Sequence, residues 1–103
     1  MSIKWNRVLE NKIIKMAVKN VLKSGYIAQI WDDNTLAYKG KNLNKIIDTT
    51  NEFDDCMILF DDKNSGSHAW IKLTFGNCQD VISDYTLNIE KELQSAILFS
   101  EKW

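Results

Sequence analysis

The chain reads as an α+β fold in the order α-β-β-α-β-β-α, and three observations point there. Long segments near both ends repeat apolar residues at helical spacing, residues 68–75 alternate with period two, and short apolar runs between them are separated by turn chemistry. The expectation is one domain over residues 1–103. Its sheet has about four strands, mostly antiparallel, with the long first and last helices packed on one face.

The first segment runs from about Asn6 to Ser24. Leu9, Ile13, Met16, Ala17 and Val21 fall three and four residues apart, and Val8, Ile14, Val18 and Leu22 widen the stripe. A stripe that broad suits burial against a sheet. Lys12, Lys15, Lys19 and Lys23 form a separate ridge on the opposite side, and Ser24-Gly25 ends the helix with a glycine suited to the left-handed cap.

Tyr26–Trp31 (YIAQIW) is β-branched and aromatic, too short for a helix, and therefore a strand. Asp32-Asp33-Asn34 supplies short polar side chains that bond the local backbone and tolerate positive φ, and Thr35–Lys39 reads as the returning strand. From Asn42 to about Thr50, Leu43, Ile46 and Ile47 share one face of a short helix, with Asn42 as its N-cap.

Cys56–Phe60 (CMILF) is a continuous apolar run between acids, as expected of a strand inside a sheet. Asp61–Ser67 is a polar turn. In the next strand Ala69, Ile71, Leu73 and Phe75 point one way, and Trp70, Lys72 and Thr74 the other. Gly76-Asn77 stops it. Residues Gln79–Thr86 read as a polar connection, with Thr86 or Asn88 capping a last helix whose face is Ile89, Leu93, Ala96 and Ile97.

Composition narrows the functional classes. With 45% hydrophobic and 26% charged residues, the chain can bury a core without staples. No apolar leader and no run near the ~20 apolar residues of a membrane span is present. Two cysteines, Cys56 and Cys78, are too few for a disulfide framework and lack paired zinc spacing. Reduced thiols and a cytoplasmic location without membrane association are the expectation. Net charge is −1, but residues 1–45 carry nine Lys/Arg against three Asp/Glu, and residues 46–103 four against eleven. That asymmetry means either two differently charged faces or merely a basic helix at one end, and the total charge does not make a convincing nucleic-acid binder.

Chemistry-bearing patterns are sparse. His68 is the single histidine; a Cys78–His68–Asp arrangement is conceivable, but no spacing requires it. Asp54-Asp55 and Asp61-Asp62 could meet at a sheet end around a hard cation, although the EF-hand spacing is absent. The expectation is therefore no catalytic, cofactor or metal site. Two surface readings remain. Trp31, Trp70, Lys72 and Thr74, with Tyr38 and Trp103 as further aromatics, suggest a protein interface or self-association through the outer sheet face, since stiff amphipathic aromatics concentrate at interfaces. The alternative is weak nucleic-acid binding through Lys12, Lys15, Lys19 and Lys23. Arg7 is the only arginine, so base-specific readout lacks its usual reagent.

The string Trp70–Asn77 (WIKLTFGN), followed by Asp80–Glu90 (DVISDYTLNIE), resembles the tail of short uncharacterised bacterial and phage-borne proteins. There a W-x-x-L-x-(F/Y)-G-N strand end runs into an ISDYT-x-N-(L/I)-E segment. Gly25-Tyr26 entering a strand, then the acidic turn at Asp32-Asp33, is similar too. The resemblance implies a phage, prophage or mobile-element origin and no particular activity. Within the same string, Ser83, Asp84 and Thr86 read as groups satisfying a helix start, while an Asp84-Tyr85 pair offered to a partner is the sharper alternative.

Overall fold

The computed structural model describes residues 3–53, 55–75 and 81–101. Its elements are helix α1 (Ile3–Lys23), strands β1 (Ile27–Asp32) and β2 (Thr35–Gly40), helix α2 (Leu43–Thr50), strands β3 (Asp55–Asp62), β4 (Ser67–Thr74) and β5 (Ile82–Tyr85), and helix α3 (Glu90–Ser100), entered by a 3-10 turn at Leu87–Ile89. The strands form one antiparallel sheet in the order β2-β1-β3-β4-β5.

The α+β class and the placement of the first and last helices together agree with the sequence reading, and α1 packs against α3. The sheet has one strand beyond the four or so expected. The stretch taken for a connection contains β5, which pairs with β4 through Ile71↔Tyr85, Lys72↔Asp84 and Leu73↔Ile82. Four residues with two acceptable apolar side chains give too short a period to see. The pairing itself, a long-range contact, supplies the strand.

Local rules account for most boundaries. Gly25 takes φ 104° beyond α1, and Ser24 N–H and Gly25 N–H donate to the carbonyls of Val21 and Leu22 at 3.1 Å. Asp33 takes φ 53° in the β1–β2 turn. Asn42 caps α2, its side-chain oxygen accepting from Lys45 N–H at 3.2 Å. The start of α3 departs from expectation: Ile89 occupies the cap position, without a side-chain bond. Thr86 instead accepts from Trp70 N–H at 3.2 Å, and the Asn88 amide donates to His68 O at 2.8 Å. Both polar groups serve the sheet rather than the helix.

The core lies between the helices and one face of the sheet. Ala28 and Ile30 of β1, Ile58 and Phe60 of β3, and Ala69, Ile71 and Leu73 of β4 face Ile13, Ile14, Ala17, Val18 and Val21 of α1, Ile46 of α2, and Leu93 and Ala96 of α3. Each such Leu, Ile or Phe contributes about 1.5–3 kcal/mol by leaving water. Tyr26 meets Phe60 edge-on, with ring centroids 6.3 Å apart. Val8 is the exception in the predicted stripe. It is 54% exposed at the margin of the stripe, whereas the adjacent Leu9 is buried. No helix among the described residues is long and apolar enough to cross a membrane.

Candidate functional site

Because side chains alternate across a strand, packing three helices on one face leaves the other face to a second set of residues. That set is Ile27, Gln29 and Trp31 on β1, Met57, Leu59 and Asp61 on β3, and His68, Trp70, Lys72 and Thr74 on β4. Their rows are fixed by register: Gln29↔Leu59 and Leu59↔Trp70 in one, Met57↔Lys72 and Lys72↔Asp84 in the next, Ile27↔Asp61 and Asp61↔His68 in a third. Leu36 of β2 stands beside Trp31. Among the described residues no helix covers this face; α2 contributes Ile46 to the core on the other side.

Trp31 is 42% exposed, Leu36 41% and Met57 40%, while Leu59 and Trp70 between them are half-buried by their neighbours. Half of the large, exposed apolar side chains among the described residues therefore sit together on one sheet face. An uncovered apolar cluster of that kind is unfavourable in water and marks a contact surface.

A polar string crosses the same face. Trp31 Nε1–H donates to Gln29 Oε1 at 3.1 Å, Gln29 Nε2–H donates to Asp61 Oδ2 at 2.8 Å, and His68 Nδ1 pairs with Asp61 Oδ1 at 2.5 Å. The string links the indole and the imidazole through Gln29 and Asp61 and favours one orientation of each ring. At the β5 side, Thr74 Oγ1 and Ser83 Oγ lie 3.0 Å apart, and Ser83 Oγ–H also donates to Lys72 O at 3.2 Å.

The four predicted interface residues, Trp31, Trp70, Lys72 and Thr74, thus share the open face. Tyr38 does not: it packs toward the core, and its hydroxyl accepts from Asn42 N–H at 3.0 Å. Trp103 lies outside the described residues. Asp84 and Tyr85 were expected on a loop but belong to edge strand β5, where Asp84 Oδ1 accepts from Tyr85 N–H at 2.9 Å and Tyr85 packs on the core. Gln29 and Asp61 as parts of an ordered string were missed. Only the β1–β3 register brings them together, 32 positions apart in the chain.

Chemical alternatives meet specific obstacles. The acids flanking β3 cannot converge, since Asp55 and Asp61-Asp62 stand at its opposite ends and Asp54 lies outside the described residues. No group of three or more metal-ligating side chains occurs among the described residues. Cys78 and Asp80 lie outside them as well. Burial, reinforced by the charge of Asp55 and opposed by Arg7, pushes the Cys56 thiol up from 9.0 to about 11, so it is protonated at neutral pH and a poor nucleophile. Asp61 and His68 do form an acid–imidazole pair, with the His68 side chain 80% exposed. Among the described residues no hydroxyl or thiol bonds its Nε2.

On α1, Lys12, Lys15, Lys19 and Lys23 are all exposed on the ridge. Lys12 Nζ sits 5.2 Å over the Phe99 ring and is partly committed to α3. Arg7 is committed further. Its guanidinium lies 3.9 Å from the Phe75 ring centroid, donates to Asn51 Oδ1 at 2.9 Å and pairs with Glu10 at 3.9 Å. The one arginine ties α1 to the end of α2 and to the residue after β4.

Comparison of the chain with protein-family models, with curated proteins and with solved structures finds no match.

Proposed function

We propose that this chain is a non-enzymatic protein-interaction module that docks a partner on the open face of its sheet. The observation that carries the reading is the uncovered cluster of Trp31, Leu36, Met57, Leu59 and Trp70, rimmed by Lys72, Thr74, Asp61 and His68. An apolar centre with large aromatics and a polar border is the anatomy of a specific interface. The Trp31–Gln29–Asp61–His68 string supports the same reading, because pre-ordered side chains lose less entropy on binding. The resemblance of residues 70–90 to phage-borne proteins places the module, in this reading, among accessory proteins of a phage, prophage or other mobile element.

A comparative capture from host lysate tests it. Wild type and a Lys15→Glu/Lys19→Glu variant should retain the same stoichiometric partner, and Trp31→Ser/Met57→Ser should lose it while melting at a similar temperature. Equal capture by all three overturns the reading.

The second reading is weak, sequence-independent nucleic-acid binding through the α1 ridge. It is favoured by Lys15, Lys19 and Lys23, which have no ion-pair partner among the described residues. It requires salt-sensitive binding that falls when these three become Glu; absence of binding to single- and double-stranded oligonucleotides at low salt removes it.

A further inference from the structure

The two edges of the sheet are built differently. The β5 edge is only four residues long, carries a register shift against β4, and bears Asp84. Short length, irregularity and charge are the usual means of preventing strand addition. The β2 edge runs six residues, Thr35-Leu36-Ala37-Tyr38-Lys39-Gly40, with four of them exposed and, among the described residues, no strand on its outer side. It holds one charge and no proline. A register shift is common to both edges, in β2 at Ala37, so the contrast between them rests on length and on the small Ala37 methyl, which leaves room for a close approach.

Charge is distributed asymmetrically along this edge. The strand is entered from an acidic turn, Asp32-Asp33-Asn34, and leaves through a basic end, Lys39-Gly40-Lys41. The far end is also firmly placed. Gly40 lies under the Tyr38 ring, where a Cβ would sit 2.7 Å from the hydroxyl, and that hydroxyl accepts from Asn42 N–H at the start of α2.

We infer that β2 is a self-pairing edge, taking β2 of a second copy of this chain in antiparallel register about a two-fold axis near Ala37 and Tyr38. An isologous contact applies every complementary pair twice. Antiparallel self-pairing sets the acidic turn of each copy beside the basic end of the other, whereas parallel pairing would set like charges together. The backbone groups on the outer side of β2 gain partners, and the two five-stranded sheets become one ten-stranded sheet. Leu36 and Trp31 lie next to this edge on the open face, so the two apolar clusters adjoin across the axis. The pairing does not depend on what the open face binds.

A charge exchange tests it by sedimentation velocity and native mass spectrometry. Wild type should populate a species of twice the chain mass as concentration rises. Lys39→Asp/Lys41→Asp should weaken that dimer by about tenfold or more, and so should Asp32→Lys/Asp33→Asn, in which Asn keeps the positive φ. Mixed together, the two variants should form a heterodimer, since each basic end then meets an acidic turn and each acidic end a basic turn. Circular dichroism melts of both variants confirm folding. A wild type that stays monomeric at high concentration overturns the inference, as does a mixture that fails to pair. A dimer abolished by Trp31→Ser/Met57→Ser yet untouched by both charge variants assigns self-association to the sheet face and removes the edge.

Discussion

The two faces of the sheet are cut from the same strands and differ by one residue of phase. On β3, Ile58 and Phe60 are fully buried under the helices, whereas Met57 is 40% exposed and Leu59 half-buried on the other side. Both sets are apolar. An antiparallel sheet with one solvated face ordinarily shows clear apolar-polar alternation, and β4 follows that rule except at Trp70, with Ala69, Ile71 and Leu73 set against His68, Lys72 and Thr74. β3 does not. Its continuous apolar run lies in the middle of a sheet, as a doubly covered strand would, yet only one cover is present among the described residues. The difference locates the unfilled requirement at Met57, Leu59 and the neighbouring tryptophans.

The comparison breaks most sharply at Phe60. Phe60→Ala opens a cavity in the fully buried core and should cost about 3–5 kcal/mol in urea unfolding, while Met57→Ser on the same strand should stay within about 0.5 kcal/mol. Similar losses at both positions would mean that the outer face is packed in the free chain.

Arg7→Ala should follow at about 2 kcal/mol, because it removes a ring contact with Phe75 and a bond to Asn51 that join α1 to the residue after β4 and to the end of α2. Arg7→Lys should recover only part of that loss, since an ammonium cannot stack and fork at once.

Cys56, on the inner side of β3, offers a titration. Its folded thiol ionises near 11 against an ordinary 9.0, so the unfolded chain releases the proton first. Stability from this group is complete below pH 9 and declines as pH rises toward 11. Cys56→Ala should flatten that part of the pH–stability curve relative to wild type. An unchanged slope would place the thiol in water.

The smallest stability effect sharpens the outer face most. Gln29→Ala interrupts the string between Trp31 and Asp61 and should alter the melting temperature little, as one exposed and one part-buried side-chain bond contribute little net. Partner affinity should fall instead, with the indole free to reorient. Fluorescence anisotropy of the tryptophans reads that freedom directly.

Most of the architecture was legible because it rests on local or periodic signals. The apolar ridges of α1 and α3, the glycine after α1, the Asn42 cap and the alternation in β4 each leave a mark within a few residues. The outward parity of Trp70, Lys72 and Thr74 followed from that alternation alone. β5 was not legible, for a strand of four residues carries no usable period and its identity lies in its pairing with β4. Nor was the misplaced role of Thr86 and Asn88, whose capping chemistry is the same whether the donor belongs to a helix start or to a neighbouring strand.

By itself, the order of residues determined the helices and every strand except β5, where most turns fall and which side chains share a face, since these depend on backbone preference and spacing. Tertiary structure alone decided that all three helices gather on one side, that Trp31, Gln29, Asp61 and His68 form one string, and that β2 and β5 become the edges. Those outcomes depend on strand order and register, which bring together residues far apart along the chain and which no local pattern encodes.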